Sequence, residues 1–122
     1  MERRDKTVAE SRVETIHLVM PSDMNDSGRL FGGCLMCWID EVAGLVGRRH
    51  AQMNVTTGSV DNLRFLRGAY LTMVGLDEND KPCRLPRLIL ETEEDEREWQ
   101  RAQTRRDIRS RQNAEGFHFY EG

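Results

Sequence analysis

Hydrophobic and polar positions alternate in three places along the chain and follow a helical period in two. From Arg12 to Met20, Ile16, Leu18 and Met20 fall on one side of a two-residue alternation and β-branched Val13, Thr15 and Val19 on the other, which predicts a strand. Pro21 ends it, and polar residues 22–28 predict a loop. Between about Gly32 and His50 the period changes: Leu35, Ile39, Val42 and Val46 recur at 4-3-4 spacing, the seam of a helix. The other side of that helix is a stripe of small residues, Gly33, Cys37, Gly44 and Gly47, interrupted only by Asp40. Three glycines lower helix propensity, so close packing against a sheet or a second helix is the expected compensation.

Residues 54–66 are β-rich with an imperfect alternation, and Gly58 predicts a bulge or a close approach. Residues 69–76 predict a further strand, ended by the turn Asp77-Glu78-Asn79-Asp80-Lys81-Pro82. From Thr92 to about Gln112 the pattern is again helical but mostly charged. Thr92 suits the N-cap, acids fill the first turns and arginines the last, and Glu93–Arg97 and Glu98–Arg101 stand at pairing distance. Three strands cannot easily cover so apolar a central helix, so part of its cover is expected from a partner or from chain that is missing here.

Composition narrows the class. The 122 residues are 38% hydrophobic and 32% charged with a net charge of −3, the profile of one domain with a modest core. The balance argues against nucleic acid as a partner, and the arginines from Arg101 to Arg111, interleaved with Asp107 and lacking stacking aromatics apart from Trp99, read as a solvated helix face. No apolar run approaches a membrane span, and the charged start, Met1 to Lys6, has no apolar segment behind it. Three cysteines without framework spacing fit a reducing compartment, so the expectation is a cytoplasmic protein without a membrane partner.

The chemistry concentrates between residues 25 and 41. A polar loop containing Asn25 and Gly28 delivers Gly32-Gly33 to the start of the apolar helix, where unpaired N–H groups and the positive dipole end favour an oxygen with developing negative charge. Asp40, two turns on, is a candidate general base or nucleophile. Cys34 and Cys37 form a Cys-x-x-Cys pair that could be redox-active with a lowered thiol pKa, although small apolar packing explains it more simply. His17 and His50 read as structural, the latter closing a helix where a cation suits the dipole, and no metal ligand set emerges. The terminal Phe117-His118-Phe119-Tyr120 cluster could dock or dangle.

These residues resemble the hotdog-fold acyl-CoA thioesterase family. The matching pieces are Pro21 with Asn25-Asp26-Ser27-Gly28, Leu30-Phe31-Gly32-Gly33, Trp38-Ile39-Asp40-Glu41, Thr57-Gly58-Ser59-Val60-Asp61 with Phe65, and then Ala69 to Val74 and Asp77 to Pro82. The resemblance implies an α+β hotdog-type fold, a central helix on an antiparallel sheet, at 12–90, between a flexible N-terminus at 1–11 and a charged helix and tail at 91–122. It implies hydrolysis of acyl-CoA with no cofactor and no metal. Asp40 and Asn25 are the implied catalytic side chains, and backbone N–H groups at Gly32 and Gly33 the implied carbonyl site. Arg64 and Arg67 are the candidates for CoA phosphates. The family's site lies between subunits, so a homo-oligomer is expected, with Asn25 and Asp40 contributed by different chains. The match breaks between Phe65 and Leu71, where family members carry further strands, which implies an internal deletion. A shortened chain could also be a catalytically impaired remnant that keeps only self-association.

Overall fold

A computed structural model describes residues 3–65 and 68–115. They form two compact units, Met1–Ile89 and Leu90–Gly122. In the first, short β1 (Lys6–Thr7) leads into a one-turn helix α1 (Val8–Ser11), and after a long irregular stretch comes the central helix α2 (Gly32–Ala51). Strands β2 (Val55–Arg64) and β3 (Gly68–Leu76) follow, then β4 (Pro82–Cys83) and β5 (Leu88–Ile89). The second unit is built on α3 (Glu93–Ala114).

The main sheet is antiparallel in the order β2-β3-β4, and a separate two-stranded parallel pair joins β1 to β5. Helix α2 packs against β2 and β3. Leu35, Ile39, Val42 and Val46 are half-buried, and Ala51 is the one fully buried apolar residue among those described. Gly47 earns its place by contact: a Cβ there would sit 3.0 Å from Val55 Cγ2. Gly58 does likewise within β2, where a Cβ would come 2.9 Å from Val74 Cγ2, and the β2–β3 register shifts between Thr57 and Ser59 as a bulge there requires. Residues 65–67 alone join the two strands, since Arg64 already pairs with Gly68.

One feature departs from the sequence reading. Residues 12–20 are not a strand: no ladder pairs them, and Ile16 and Leu18 are 97% and 81% exposed. The alternation is present, but a strand also needs a neighbour for its N–H and C=O groups, and the sheet β2-β3-β4 supplies none. The stretch is tied to α2 by a stack of His17 on Trp38, with ring centroids 4.4 Å apart, and by a hydrogen bond from Arg49 to the Arg12 carbonyl at 3.0 Å. Residues 5–11 make hydrogen bonds to one another, to the end of α2 and to residues 86–87. Thr7 and Glu10 form a reciprocal capping box on α1, Arg87 N–H donates to Asp5 Oδ1 at 2.8 Å, and Lys6 Nζ donates to the Arg49 carbonyl at the end of α2. His50 joins this clasp, its ring nitrogens facing Ser11 Oγ at 2.8 Å and the Pro86 carbonyl at 3.0 Å.

Candidate active site

The approach to α2 is set by the loop ahead of it. Asn25 Oδ1 accepts hydrogen bonds from the N–H groups of Ser27 (3.0 Å) and Arg29 (3.1 Å), and Gly28, at φ +69°, makes the left-handed turn between them. A bridge between Met24 and Leu30 closes the loop. The N-cap of α2 is Phe31, with no side chain capping the helix. A helix start without a side-chain cap leaves its first N–H groups for solvent or a ligand. The rings of Phe31 and Phe65 lie over these glycines: a Cβ at Gly33 would meet Phe31 Cε1 at 2.5 Å, and one at Gly32 would meet Phe65 Cζ at 3.1 Å.

Two turns along α2, Asp40 faces β2. Thr57 Oγ1 donates to Asp40 Oδ1 at 2.5 Å, a charge-assisted bond joining helix to sheet. Asp40 and Thr57 line one cavity of about 370 Å³ together with Gly33, Cys37 and the apolar side chains of Met36, Ile39, Val60, Leu63 and Leu71. One carboxylate oriented by a hydroxyl at the wall of an apolar cleft can take a proton from water, while the cleft accommodates an aliphatic chain.

Of the residues singled out from sequence, Asp40 and Gly33 meet in this cavity, and Gly32 is adjacent at the helix start. Asn25 does not line it; its side-chain oxygen is engaged within its own loop. Arg64 is exposed at the end of β2, and Arg67 lies outside the described residues, as does the aromatic cluster 117–120. Thr57 was quoted above as part of a motif without a role, and the structure gives it one. The redox reading of Cys34 loses its basis: burial, and then the nearby Asp23 carboxylate at 3.7 Å, push this thiol up from its ordinary pKa rather than down.

Comparison with known proteins agrees with this geometry. The family model for the thioesterase superfamily matches residues 27–74, the span from the Gly28 loop through α2 to β3. An acyl-CoA thioester hydrolase of Bacillus subtilis is 29% identical over 128 residues, covering 70% of this chain and 74% of that protein. The cytosolic acyl coenzyme A thioester hydrolase of Rattus norvegicus is 28% identical over 143 residues, covering 81% of this chain but 38% of the rat protein. The chain thus spans well under half the length of that mammalian relative.

Among solved structures, an acyl-CoA hydrolase from Bacillus cereus superposes with a TM-score of 0.82 at 26% identity, covering 92% of this chain and 94% of that one. An apo-hexameric acyl-CoA thioesterase gives 0.82 at 27%, covering 90% and 98%. An acyl-CoA hydrolase from Staphylococcus aureus, solved with butyryl coenzyme A, coenzyme A and coenzyme A disulfide, gives 0.72 at 27%, covering 92% and 96%. The chain has the hotdog fold of these acyl-CoA hydrolases, and its residues 27–74 are similar to the thioesterase superfamily. The Staphylococcus enzyme was also solved as three variants with alanine replacing an asparagine, an aspartate and a threonine, which lie 15 and 17 residues apart along its chain. Asn25, Asp40 and Thr57 are spaced identically here.

Proposed function

We propose that this protein hydrolyses acyl-CoA thioesters to the free acid and coenzyme A. The observation that carries the reading is the Asp40–Thr57 pair at the wall of an apolar cleft that begins at the helix start. Asp40 takes a proton from water, which adds to the thioester carbonyl carbon. N–H groups at Gly32, Gly33 and Cys34 stabilise the resulting oxyanion, and one such donor is worth about 3–4 kcal/mol in a water-excluded site. The carbonyl then re-forms, the C–S bond breaks, and the departing thiolate takes up a proton.

Gly33 and Asp40 are seven residues apart, about 10 Å along the axis, so one α2 cannot present both to a single carbon atom. A second copy therefore completes each centre, with Asn25 and the helix start from one chain and Asp40 from the other. The hexameric relative and the exposed Met36 and Leu45 on α2 support an assembly of this kind. Arg64 and Arg67 remain the candidates for CoA phosphates, and a cytoplasmic location and a part in fatty-acid metabolism accord with the cytosolic rat relative.

A second reading has its own observation. The alignment with the Bacillus subtilis relative runs over 128 positions yet draws on 70% of a 122-residue chain, so about a third of those positions have no counterpart here. With the three-residue link between β2 and β3 and the unpaired 12–20 stretch, this supports an internal deletion that could leave a self-associating remnant without activity. Incubation with acyl-CoAs of graded chain length, followed by chromatography of CoA and free acid, separates the two. Hydrolysis with at least one chain length supports the thioesterase; a folded assembly that releases no CoA supports the remnant.

A further inference from the structure

The cleft between α2 and the sheet has a polar end, an apolar end and a definite length. Two contacts fix the course of α2 along β2. Asp40 meets Thr57, and Gly32 lies against the ring of Phe65, so helix and strand run in opposite directions. The cavity of about 370 Å³ lies between these contacts, with the Asp40–Thr57 pair at one end. Away from that pair its walls are Met36 on the helix, Leu63 on β2, and Val60 with Leu71, which stand opposite one another in the β2–β3 register. At the far end the rings of Phe31 and Phe65 close on Gly33 and Gly32. Met36 and Val60 line the cavity yet remain 43% and 45% exposed, so the cleft is open along one side.

We infer, on the thioester-hydrolase reading above, that this cleft selects medium-length acyl-CoAs of about 8–10 carbons, with Leu63 setting the limit. Length decides this, not volume. An apolar cavity of about 150 Å³ takes up benzene, so one of about 370 Å³ has room for about fifteen carbons. From Asp40 to Gly33, however, the helix advances only about 10 Å. Carbon–carbon bonds of about 1.5 Å carry an extended chain forward about 1.3 Å per carbon, so about eight carbons span that distance. A longer chain must fold back or pass the rings into water, and its further methylenes add nothing. Leu63 lines the apolar end, two residues before Phe65, so its bulk fixes where the chain stops. Full burial of one methylene is worth about fourfold in affinity. With one side of the cleft open, about twofold per carbon is expected.

The test uses the full chain and a series from butyryl- to tetradecanoyl-CoA. In the unmodified protein kcat/KM rises about 60-fold between about four and ten carbons and then levels. Leu63→Trp fills the apolar end and moves the plateau down to about six carbons, and Leu63→Ala opens it and moves the plateau up to about twelve. Melting curves report whether each variant keeps its fold. Titration calorimetry on Asp40→Asn, which removes the base and leaves the cleft, gives Kd for hexanoyl- and decanoyl-CoA and reads the chain without hydrolysis. Decanoyl-CoA binds about 16-fold more tightly there. That graded binding in a protein that releases no CoA would uphold the chain-length assignment and end the hydrolase reading. The assignment is overturned by kcat/KM and Kd that stay within about threefold across the series, by a maximum at butyryl-CoA, or by a plateau unmoved in both folded Leu63 variants.

Discussion

Thr57→Val keeps the shape of the side chain and removes only its hydroxyl, so it isolates the bond to Asp40. That bond is 2.5 Å long and its acceptor is a carboxylate, and hydrogen bonds to charged groups contribute about 1.5–3 kcal/mol. Converted at about 1.4 kcal/mol per tenfold, complete loss would slow turnover about 10–150-fold. Asp40 is exposed in the single chain, so water can replace part of what is lost, and the lower end, about tenfold, is the expectation. The assay is release of CoA thiol from a saturating acyl-CoA, with kcat and KM determined separately. The carboxylate is used only once water attacks, so kcat falls while KM stays within about twofold. Thr57→Ser retains the hydroxyl and stays within about threefold of the unmodified kcat. A Thr57→Val enzyme with unchanged kcat and merely lower stability would refute the reasoning, because Thr57 would then only pin helix to sheet.

Other consequences follow from neighbouring features. Nothing lies within 4 Å of a Cβ at Gly44, so Gly44→Ala gains helix propensity, about 1 kcal/mol, and raises the melting temperature by a few degrees, whereas Gly47→Ala loses that gain against Val55. Peptide mapping after brief alkylation should find Cys37 modified ahead of Cys34, whose thiol is half-buried and has a raised pKa. The hydrogen bond to Arg4, then the Thr7 N–H, lower Glu10 from 4.5 to about 2. A depressed carboxylate stabilises above its unfolded pKa and loses that effect as pH falls through its folded one. Protection of the capping-box amides of α1, taken as exchange relative to the intrinsic rate at each pH, should therefore hold steady above pH 4.5 and fall as pH is lowered toward 2; constant protection across that range would contradict the pairing.

What the sequence made legible was local. The 4-3-4 seam located α2 to within one residue at its end, and Thr92 with the acids behind it located the start of α3, because period and capping are written in consecutive residues. Gly58 announced the bulge through its missing side chain. Residues 12–20 were misread for the opposite reason: alternation specifies a face, but a strand exists only beside another strand, and pairing is a property of distant chain. Thr57 was overlooked on similar grounds. It meets Asp40 across 17 residues, and only the fold puts helix and bulged strand in register. The aromatic cover over Gly32 is likewise a contact between distant parts of the chain, from Phe65 just after β2.

The central claim, that Asp40 drives acyl-CoA hydrolysis, is tested most directly by the turnover of Asp40→Asn beside the unmodified protein. Both are assayed as folded assemblies of equal mass, with the acyl-CoA that the unmodified protein hydrolyses fastest. Loss of a general base predicts a kcat lower by about 100–10,000-fold with the assembly intact. A variant that turns over at more than half the unmodified rate would contradict the account.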